Sequence, residues 1–498
     1  MSSGKKVVSG VVWTMIVNVV NAVYGFISVP ILINYFGKSE YGLIGLAMSI
    51  NVYLRLLDMG FDSTNVRFFS TWLAEKKLEK VRIAFQTSLS FYGIIGLLNA
   101  AILLLVSFFS NSIFNVDAAQ DIILKRLIYI LCFTAFLSWV MSCFSQMVKA
   151  TENVAYIQKC TLLTKLLLIA VLFGTVYGKL SIEMYFALSC GVALAVIPFY
   201  VRKIRRETPF VRFWPKIDWP TFKEMLPYSL NIFSFSIFQF SFYNLRPMLL
   251  GMQGTMESVA DFKVLNGIAG LVSMFGGTFL GALLPTTSRV VAQHNKEAYY
   301  RVAYSGTRYV SIIMSFCCFG IMSVATELLT VYVGREYLYL VPWLYFWLMT
   351  LLFTHNQAIS SLILAGADIR AITYSSIVAS ISGLVVTWFT IPAYQVGGTV
   401  IGYVVYILIQ MGFYYFYYWP KKMEINSMKV FGSCFIPYAI IGGLSMFVVS
   451  FVNVCDSSLW NGFAKGILFA ALFAMVTWLV MPKDENSYLM GLVSKKKV

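Results

Sequence analysis

About fourteen apolar stretches of near-membrane length follow one another along this sequence, and short polar clusters separate them. The hydrocarbon core of a bilayer is ~30 Å thick, so about twenty apolar residues are needed to cross it as a helix. A helix suits that environment because it satisfies its own backbone hydrogen bonds. Since 59% of the 498 residues are hydrophobic and only 12% are charged, the polar side chains are too few to cover a soluble globule. The sequence therefore predicts an all-α polytopic membrane protein.

The span boundaries follow from the positions at which polar clusters interrupt the apolar runs. The predicted spans are 10–34, 41–64, 83–109, 127–148, 160–177, 182–201, 223–250, 256–284, 302–333, 338–366, 370–392, 397–419, 430–452 and 460–481. The longest hydrophilic piece, Arg202–Trp219, follows the sixth of them. We therefore predict an N-terminal lobe of six spans (1–201), a basic cytosolic linker (202–222), a C-terminal lobe of six spans (223–419), and two extra helices with a basic tail (420–498).

The net charge of +16 is distributed in a way that indicates membrane topology rather than nucleic-acid binding. The segments that we place in the cytosol hold about 27 of the 38 Lys and Arg residues, as the positive-inside rule expects. Both termini share that side only if the number of spans is even. We therefore predict cytoplasmic N- and C-termini and no nucleic-acid partner.

A short motif occurs twice and predicts an internal repeat. Pro30-x-Leu32-x4-Gly37-x2-Glu40 recurs as Pro247-x-Leu249-x4-Gly254-x2-Glu257, and Gly60 and Gly277 keep the same offset. Because a repeat of six spans is even, the second copy would enter the membrane in the same orientation as the first. That arrangement predicts two parallel lobes related by an axis along the membrane normal, which suits alternating access.

The second predicted span carries the sharpest polar constellation. Asn51, Arg55, Asp58, Asp62 and Asn65 are spaced by 4, 3, 4 and 3 residues and would share one face of a continuous helix. A charge near mid-bilayer costs about 2.5–3.5 kcal/mol on insertion scales, so this face should meet protein or water rather than lipid. Two interpretations stay open: a cavity wall with an anion-binding Arg55 and ion-coupling carboxylates, or an internal Arg55–Asp58 pair that locks the span to its neighbours.

Further candidates lie on other spans. Asn18 and Asn21 belong to a polar stripe on the first span that either lines a cavity or packs against another helix. The remaining anion-binding candidates are Lys263, Arg246 and Arg308. The remaining ion-coupling candidates are Asp261 and Glu257. The remaining cavity-lining candidates are Asn266 and His355. Lys263 is the deepest of the charges in its span, whereas end charges such as Glu257 and Arg246 have the alternative of facing bulk water. For His355, a proton relay and a hydrogen-bonded packing role both stay open.

Motifs of soluble-enzyme chemistry do not occur. Gly37-Lys38-Ser39 ends like a phosphate-binding loop, but position 32 is Leu rather than Gly. With His294 and His355 as the only histidines and no HExxH, we predict neither a metal centre nor a cofactor. Energy for transport would then come from a gradient, with H⁺ or Na⁺ as the coupling-ion candidates.

Several motifs together resemble those of the O-antigen-type polysaccharide flippases of the multidrug/oligosaccharidyl-lipid/polysaccharide exporter superfamily. They are Ser9-Gly10-x-x-Trp13, Pro30-x-Leu32-x4-Gly37-x3-Tyr41-Gly42-Leu43 and Leu57-Asp58-Met59-Gly60-Phe61. The resemblance implies two six-helix lobes in a V, two extra helices, and a location in the bacterial inner membrane. It also implies transfer of an undecaprenyl-diphosphate-linked oligosaccharide to the outer leaflet, with membrane lipids, a polysaccharide polymerase and chain-length machinery as partners.

The resemblance extends to individual residues with one departure. Arg55 and Lys263 lie on the spans where lipid II flippases of the same superfamily place basic cavity residues. The first span, however, carries no arginine where those flippases have a basic cluster, which counts against lipid II as the cargo.

Three alternatives remain beside a lipid-linked oligosaccharide flippase. A lipid II flippase and a cation-coupled multidrug exporter are alternative transporters, and the exporter's usual twelve spans fit less well than fourteen. A membrane glycan polymerase or acyltransferase is the alternative of another class. Such enzymes need catalytic His or carboxylate groups near the membrane surface and commonly a sizeable outer loop, which this sequence lacks.

Overall fold

The computed structural model describes residues 3–293, 295–366, 370–454 and 456–482, and every regular element in these ranges is helical. The predicted basic tail from residue 483 onwards and His294 lie outside the described residues. The all-α prediction is confirmed.

The helices that precede the basic segment are α1 (Ser3–Phe36), α2 (Lys38–Tyr53), α3 (Phe61–Ala74), α4 (Leu78–Phe108), α5 (Ser110–Ile113), α6 (Ala118–Ala150), α7 (Val154–Gly178), α8 (Ile182–Leu194) and α9 (Ile197–Glu207). After the basic segment come α10 (Trp219–Gln253), α11 (Met256–Ala292), α12 (Lys296–Arg301), α13 (Thr307–Ser323), α14 (Ala325–Tyr332), α15 (Val341–Leu351), α16 (Gln357–Gly366), α17 (Arg370–Tyr394), α18 (Val396–Phe413), α19 (Trp419–Lys422), α20 (Ser427–Lys429), α21 (Ile436–Ser450) and α22 (Ser458–Val480). Segments of 3₁₀ helix cover Leu54–Asp58, Arg335–Leu340 and Leu352–Asn356, and π-helical turns cover Val302–Gly306, Tyr414–Tyr418 and Val430–Phe435.

Within the described ranges, eleven helical segments are long and apolar enough to cross a membrane, and a bent pair over Lys38–Asp58 and Phe61–Ala74 makes up to twelve. Each of these falls on a predicted span. Helices α10 and α11 cover the predicted seventh and eighth spans but are not among the segments that meet this criterion. The chain is therefore a multi-pass membrane protein, and the count of fourteen stays a prediction.

The chain packs as two compact units. The first unit comprises Met1–Lys263 with Trp388–Thr399, and the second comprises Val264–Thr387 with Val400–Val498. The predicted lobe boundaries at 201 and 223 stay a prediction.

An aromatic core holds the first unit together around the long helices α4 and α6. Phe85 on α4 stacks on Phe144 of α6 with ring centroids 6.1 Å apart, and Phe213 of the linker closes on both rings edge-on. Such pairs add about 0.5–1.5 kcal/mol beyond the area that they bury. Because this core fixes α4 against α6, it also fixes the polar side chains that those two helices carry.

The predicted second span is broken, so the expectation that five polar residues share one face of one continuous helix is wrong. The chain leaves α2 through a 3₁₀ turn, adopts left-handed φ values of 50° at Met59 and 83° at Gly60, and restarts as α3 with a bend of 45°. The break is held from outside, because Ser229 Oγ of α10 donates to the Met59 carbonyl. A Cβ on Gly60 would lie 2.6 Å from the Ser229 carbonyl oxygen, so only glycine permits this approach.

Candidate functional site

The break between α2 and α3 gathers two carboxylates at one end of a buried polar network. Asp58 Oδ2 accepts from the Asp62 backbone N–H at 3.0 Å, and Asp58 Oδ1 accepts from the Tyr92 hydroxyl at 2.6 Å. Tyr92 is fully buried on α4. The carboxylate of Asp58 therefore caps the start of α3 and at the same time anchors α4.

Gln146 of α6 connects the two carboxylates. Its Nε2 donates to the Tyr92 hydroxyl at 2.7 Å and to Asp62 Oδ1 at 3.0 Å, so both of its N–H groups are used. Its Oε1 accepts from Asn65 Nδ2 at 2.8 Å, and Asn65 Oδ1 accepts from Ser88 Oγ at 2.8 Å. Every donor in this chain is directed towards one of the two aspartates, which is the pattern that ionised, acceptor-only carboxylates require.

The two aspartates differ in their access to the surroundings. The Asp62 side chain is 51% exposed and lies 3.5 Å from Lys149 Nζ, which is itself half-exposed. Asp58 is half-buried and accepts hydrogen bonds from the Tyr92 hydroxyl and the Asp62 backbone. The site thus couples an accessible carboxylate to a more enclosed one through two fully buried side chains.

Arg55 is exposed on the 3₁₀ turn, with its guanidinium 5.9 Å from the centroid of the Trp139 ring. Among the described residues it forms no ion pair, so the internal Arg55–Asp58 pair that one interpretation required is not formed here. Asn51, the first residue of the predicted face, is half-buried on α2. The structure therefore brings Asp58, Asp62 and Asn65 into one network and leaves Arg55 open beside it.

A second group of predicted residues lies where α2 packs against the start of α11. Lys263 Nζ reaches Ser49 Oγ at 3.5 Å, and its stem runs over Gly45, whose added Cβ would lie 3.1 Å from Lys263 Cε. Nearer the helix starts, a Cβ on Gly42 would overlap the Met256 carbonyl oxygen at 1.9 Å. Small residues on α2 therefore create the space in which the Lys263 side chain lies.

The acidic and basic candidates around the α10–α11 junction are mostly enclosed. Asp261 is 3% exposed and forms an ion pair of 2.7 Å with Lys38. Arg246 is 2% exposed and lies among aromatic rings, 5.2 Å from that of Phe242 and 5.4 Å from that of Phe262. Glu257 is half-buried.

The remaining candidates lie on α1 and in the second unit. Asn18 is exposed and Asn21 half-buried on α1, and in the second unit Asn266 is exposed and Arg308 half-buried. His355 is fully buried: Nδ1 contacts the Leu352 carbonyl at 3.0 Å, Nε2 contacts the Tyr415 hydroxyl at 2.6 Å, and the ring stacks on Phe435. These contacts are the ones expected if His355 has a hydrogen-bonded packing role.

Sequence reasoning missed several residues of these two groups because their partners lie on other helices. Tyr92, Gln146 and Ser88 lie inside the predicted third and fourth spans, and neither span shows by itself which residues they bond. Ser49 and Lys38 were missed for the same reason. A glutamine within an apolar span is costly unless it is hydrogen-bonded, and that cost could have identified Gln146.

Comparison with known proteins identifies the fold. A family model described as "Polysaccharide biosynthesis protein" matches residues 7–291. No curated protein matches the sequence.

Solved structures that share the fold include a lipid II flippase and two MATE transporters. The lipid II flippase MurJ in an inward closed conformation superposes with a TM-score of 0.73 at 12% identity, covering 94% of this chain and 98% of that one. An inward-facing MATE-family multidrug resistance transporter of the MOP superfamily gives 0.62 at 14% identity, covering 86% and 95%. The eukaryotic MATE transporter AtDTX14 gives 0.58 at 14% identity, covering 93% and 99%.

Proposed function

The chain belongs to the polysaccharide biosynthesis protein family and has the fold of MOP-superfamily transporters, and from this premise we propose that it is a flippase. Its cargo in this proposal is an undecaprenyl-diphosphate-linked oligosaccharide, moved by alternating access to the outer leaflet of a bacterial inner membrane. The observation that carries the proposal is the broken second span, which presents the exposed guanidinium of Arg55 beside the Asp58 and Asp62 carboxylates.

A diphosphate joined to a sugar cannot cross hydrocarbon without polar partners, because unsatisfied polar groups and charges are costly there. Broken membrane helices supply such partners, since they free backbone groups and place charged side chains at membrane depth. In this proposal Arg55 binds the diphosphate, because an arginine forms bidentate hydrogen bonds with phosphate. Lys263 is the second anion-binding residue, and Arg246 and Arg308 take part in other conformations of the cycle.

Ion coupling is assigned to the carboxylates of the network. Protonation of Asp58 at Oδ1 would turn that oxygen into a donor, so the Tyr92 hydroxyl would have to accept there instead of donating. Because Gln146 connects Tyr92 to Asp62, the change would reach the exposed carboxylate as well. We therefore propose Asp58 and Asp62 as the primary H⁺ or Na⁺ sites, with Asp261 and Glu257 as secondary candidates.

The cargo is tested by deleting the gene in its native host and extracting the lipids. Accumulation of prenyl-diphosphate sugars at the cytosolic leaflet together with loss of surface glycan is the expected result. Unchanged surface glycan with new sensitivity to cationic dyes would instead identify a multidrug exporter, and accumulation of lipid II would identify a lipid II flippase. In either of those cases the oligosaccharide assignment is wrong.

The site is tested by complementing the deletion strain with variants. Arg55→Ala should abolish surface glycan while the protein still inserts, and Arg55→Lys should retain part of the activity because it keeps the charge but loses the bidentate geometry. Arg126→Ala is the matched control, since Arg126 is exposed in the same unit and paired with Glu183. Full activity of Arg55→Ala would remove Arg55 from the site.

The coupling residues need a separate readout. Asp58→Asn and Asp62→Asn should bind cargo but respond weakly to an imposed ion gradient in proteoliposomes. Asp117→Asn is the control, because Asp117 caps α6 and Asn caps a helix about as well.

A polymerase and chain-length machinery complete the proposed set of partners.

A further inference from the structure

A large cavity lies within the second unit at the end of the predicted twelfth span. Its volume is about 840 Å³, which is in the range of small-molecule sites. Its wall contains the aromatic rings of Phe353, Tyr415, Phe416 and Phe431. None of these residues belongs to the groups assigned above to cargo or to the coupling ion.

Three irregular helical segments contribute residues to the wall of this cavity. Phe353 lies in the 3₁₀ segment Leu352–Asn356, whereas Tyr415 and Phe431 lie in the π-helical turns Tyr414–Tyr418 and Val430–Phe435. A π turn is rare because it disrupts the regular hydrogen-bond ladder, and such turns are found frequently at functional sites. Two of them lining one cavity indicate that the space is built rather than incidental.

One wall of the cavity is apolar, and its polar groups are already bonded. The Tyr415 hydroxyl is already bonded to His355, which stacks on Phe435 with ring centroids 4.3 Å apart. A ligand against this wall therefore meets ring faces and the Met411 side chain. A hydrocarbon chain is the chemistry that such a wall accommodates.

The rim of the cavity is polar and carries charges of both signs, because the exposed Glu424 lines it and two basic residues lie next to it in the sequence. Among the described residues, Ser427 Oγ is buried without a hydrogen-bond partner, and Ser427 lines the cavity. Lys421 and Lys422 follow the lining residue Pro420 directly, and both are exposed without an ion pair in the described ranges. The positive-inside pattern predicts this segment to be cytosolic, where the leaflet surface is anionic.

From this juxtaposition we infer that the cavity binds an anionic phospholipid of the cytosolic leaflet. One acyl chain lies against the aromatic wall, and the phosphate lies at the rim between Ser427 and the Lys421–Lys422 pair. Basic pockets between membrane helices on the cytoplasmic side bind anionic headgroups by the same attraction. This site does not depend on which cargo the protein moves.

The chain offers a substitution that fills the cavity. Gly412 lines the cavity, and a Cβ placed on it would meet nothing within 4 Å, so Gly412→Leu should occupy the acyl-chain space without displacing protein atoms. Gly174→Leu is the matched control, because Gly174 also lies in a helix with open space around its Cβ and is far from the cavity in sequence. The headgroup is tested independently by Lys421→Ala/Lys422→Ala, with Lys223→Ala/Arg206→Ala as the control pair of exposed basic residues.

The experiment measures phosphatidylglycerol and phosphatidylcholine bound to the purified full-length protein by native mass spectrometry. Wild type and both controls should retain one tightly bound phosphatidylglycerol, Gly412→Leu should lose it, and the double lysine variant should bind it about 30-fold more weakly. Equal retention by Gly412→Leu and Gly174→Leu, or equal binding of the two phospholipids by wild type, would overturn the inference. Displacement of phosphatidylglycerol by a polyprenyl phosphate, one for one, would also overturn it, because the cavity would then belong to the transported lipid. If Gly412→Leu does not fold, the lysine variants still decide the headgroup assignment.

Discussion

The break at Gly60 should be the most sensitive backbone position in the first unit, and Gly60→Ala tests it. A left-handed conformation costs a residue with a Cβ about 1–2 kcal/mol. The new methyl group would also lie 2.6 Å from the Ser229 carbonyl oxygen, and overpacking of this kind costs about 1–3 kcal/mol. The two effects together predict a loss of about 2–5 kcal/mol in the free energy of unfolding.

A thiol-reactive fluorophore provides the assay, because Cys143 and Cys160 are buried in the core of the same unit and react only on unfolding. At about 2 °C per kcal/mol, the apparent Tm should fall by roughly 4–10 °C. Gly174→Ala is the control and should leave the Tm unchanged or raise it slightly, since that glycine is helical and unobstructed.

A second variant separates the two causes. Asparagine enters the left-handed region more readily than alanine, so Gly60→Asn should recover part of the loss if backbone strain dominates. If contact with Ser229 dominates, Gly60→Asn and Gly60→Ala should be equally destabilised. A Tm for Gly60→Ala within one degree of wild type would refute the account of the break, because neither the strain nor the contact would then exist.

Three further outcomes are expected in the same thermal assay. Gln146→Leu should lower stability by about 2–4 kcal/mol because it leaves several buried partners unsatisfied, and a loss no larger than that of a surface variant would contradict the network. Lys465→Met should cost about 3–5 kcal/mol by stranding buried Glu327, and Glu327→Leu/Lys465→Met should regain most of it; an uncorrected double variant would disprove the pairing. Gly42→Ala should push α2 away from Met256 and lower the Tm, and an unchanged Tm would show that the two helices do not pack this closely.

The positions of the helices could be predicted from the sequence because the bilayer sets their length and polarity. Eleven of the predicted spans coincide with apolar helices in the described residues. The break at Met59–Gly60 could not be predicted in this way, because hydropathy averages over a window and Gly60 alone is compatible with a helix. Its cause is a tertiary contact with Ser229, which is distant in sequence.

Of the candidate site, the sequence could predict only the residues that lie together on one predicted span. Helical spacing indicated correctly that Asp58, Asp62 and Asn65 belong together, although a bent segment rather than a straight face brings them into contact. The other half of the network, Tyr92 and Gln146, comes from α4 and α6. No periodicity within a single span reports which polar residue of another span it will meet, so those partners required the structure.

The structure shows which helix boundaries the two copies of the repeated motif mark. Gly37 lies at the α1–α2 junction and Gly254 lies at the α10–α11 junction, so each copy marks a boundary between two helices. Helices α2 and α11 follow these junctions and run in the same direction. Gly42 contacts Met256 near the start of both helices, and Gly45 and then Ser49 contact α11 further along, ending at Lys263. Two helices that advance together in this way are parallel, which is the orientation that a parallel repeat requires. The repeat itself stays a prediction, but its geometric requirement is met where the two copies touch. The proposed anion-binding Lys263 therefore lies at the end of the contact that the two motif copies begin.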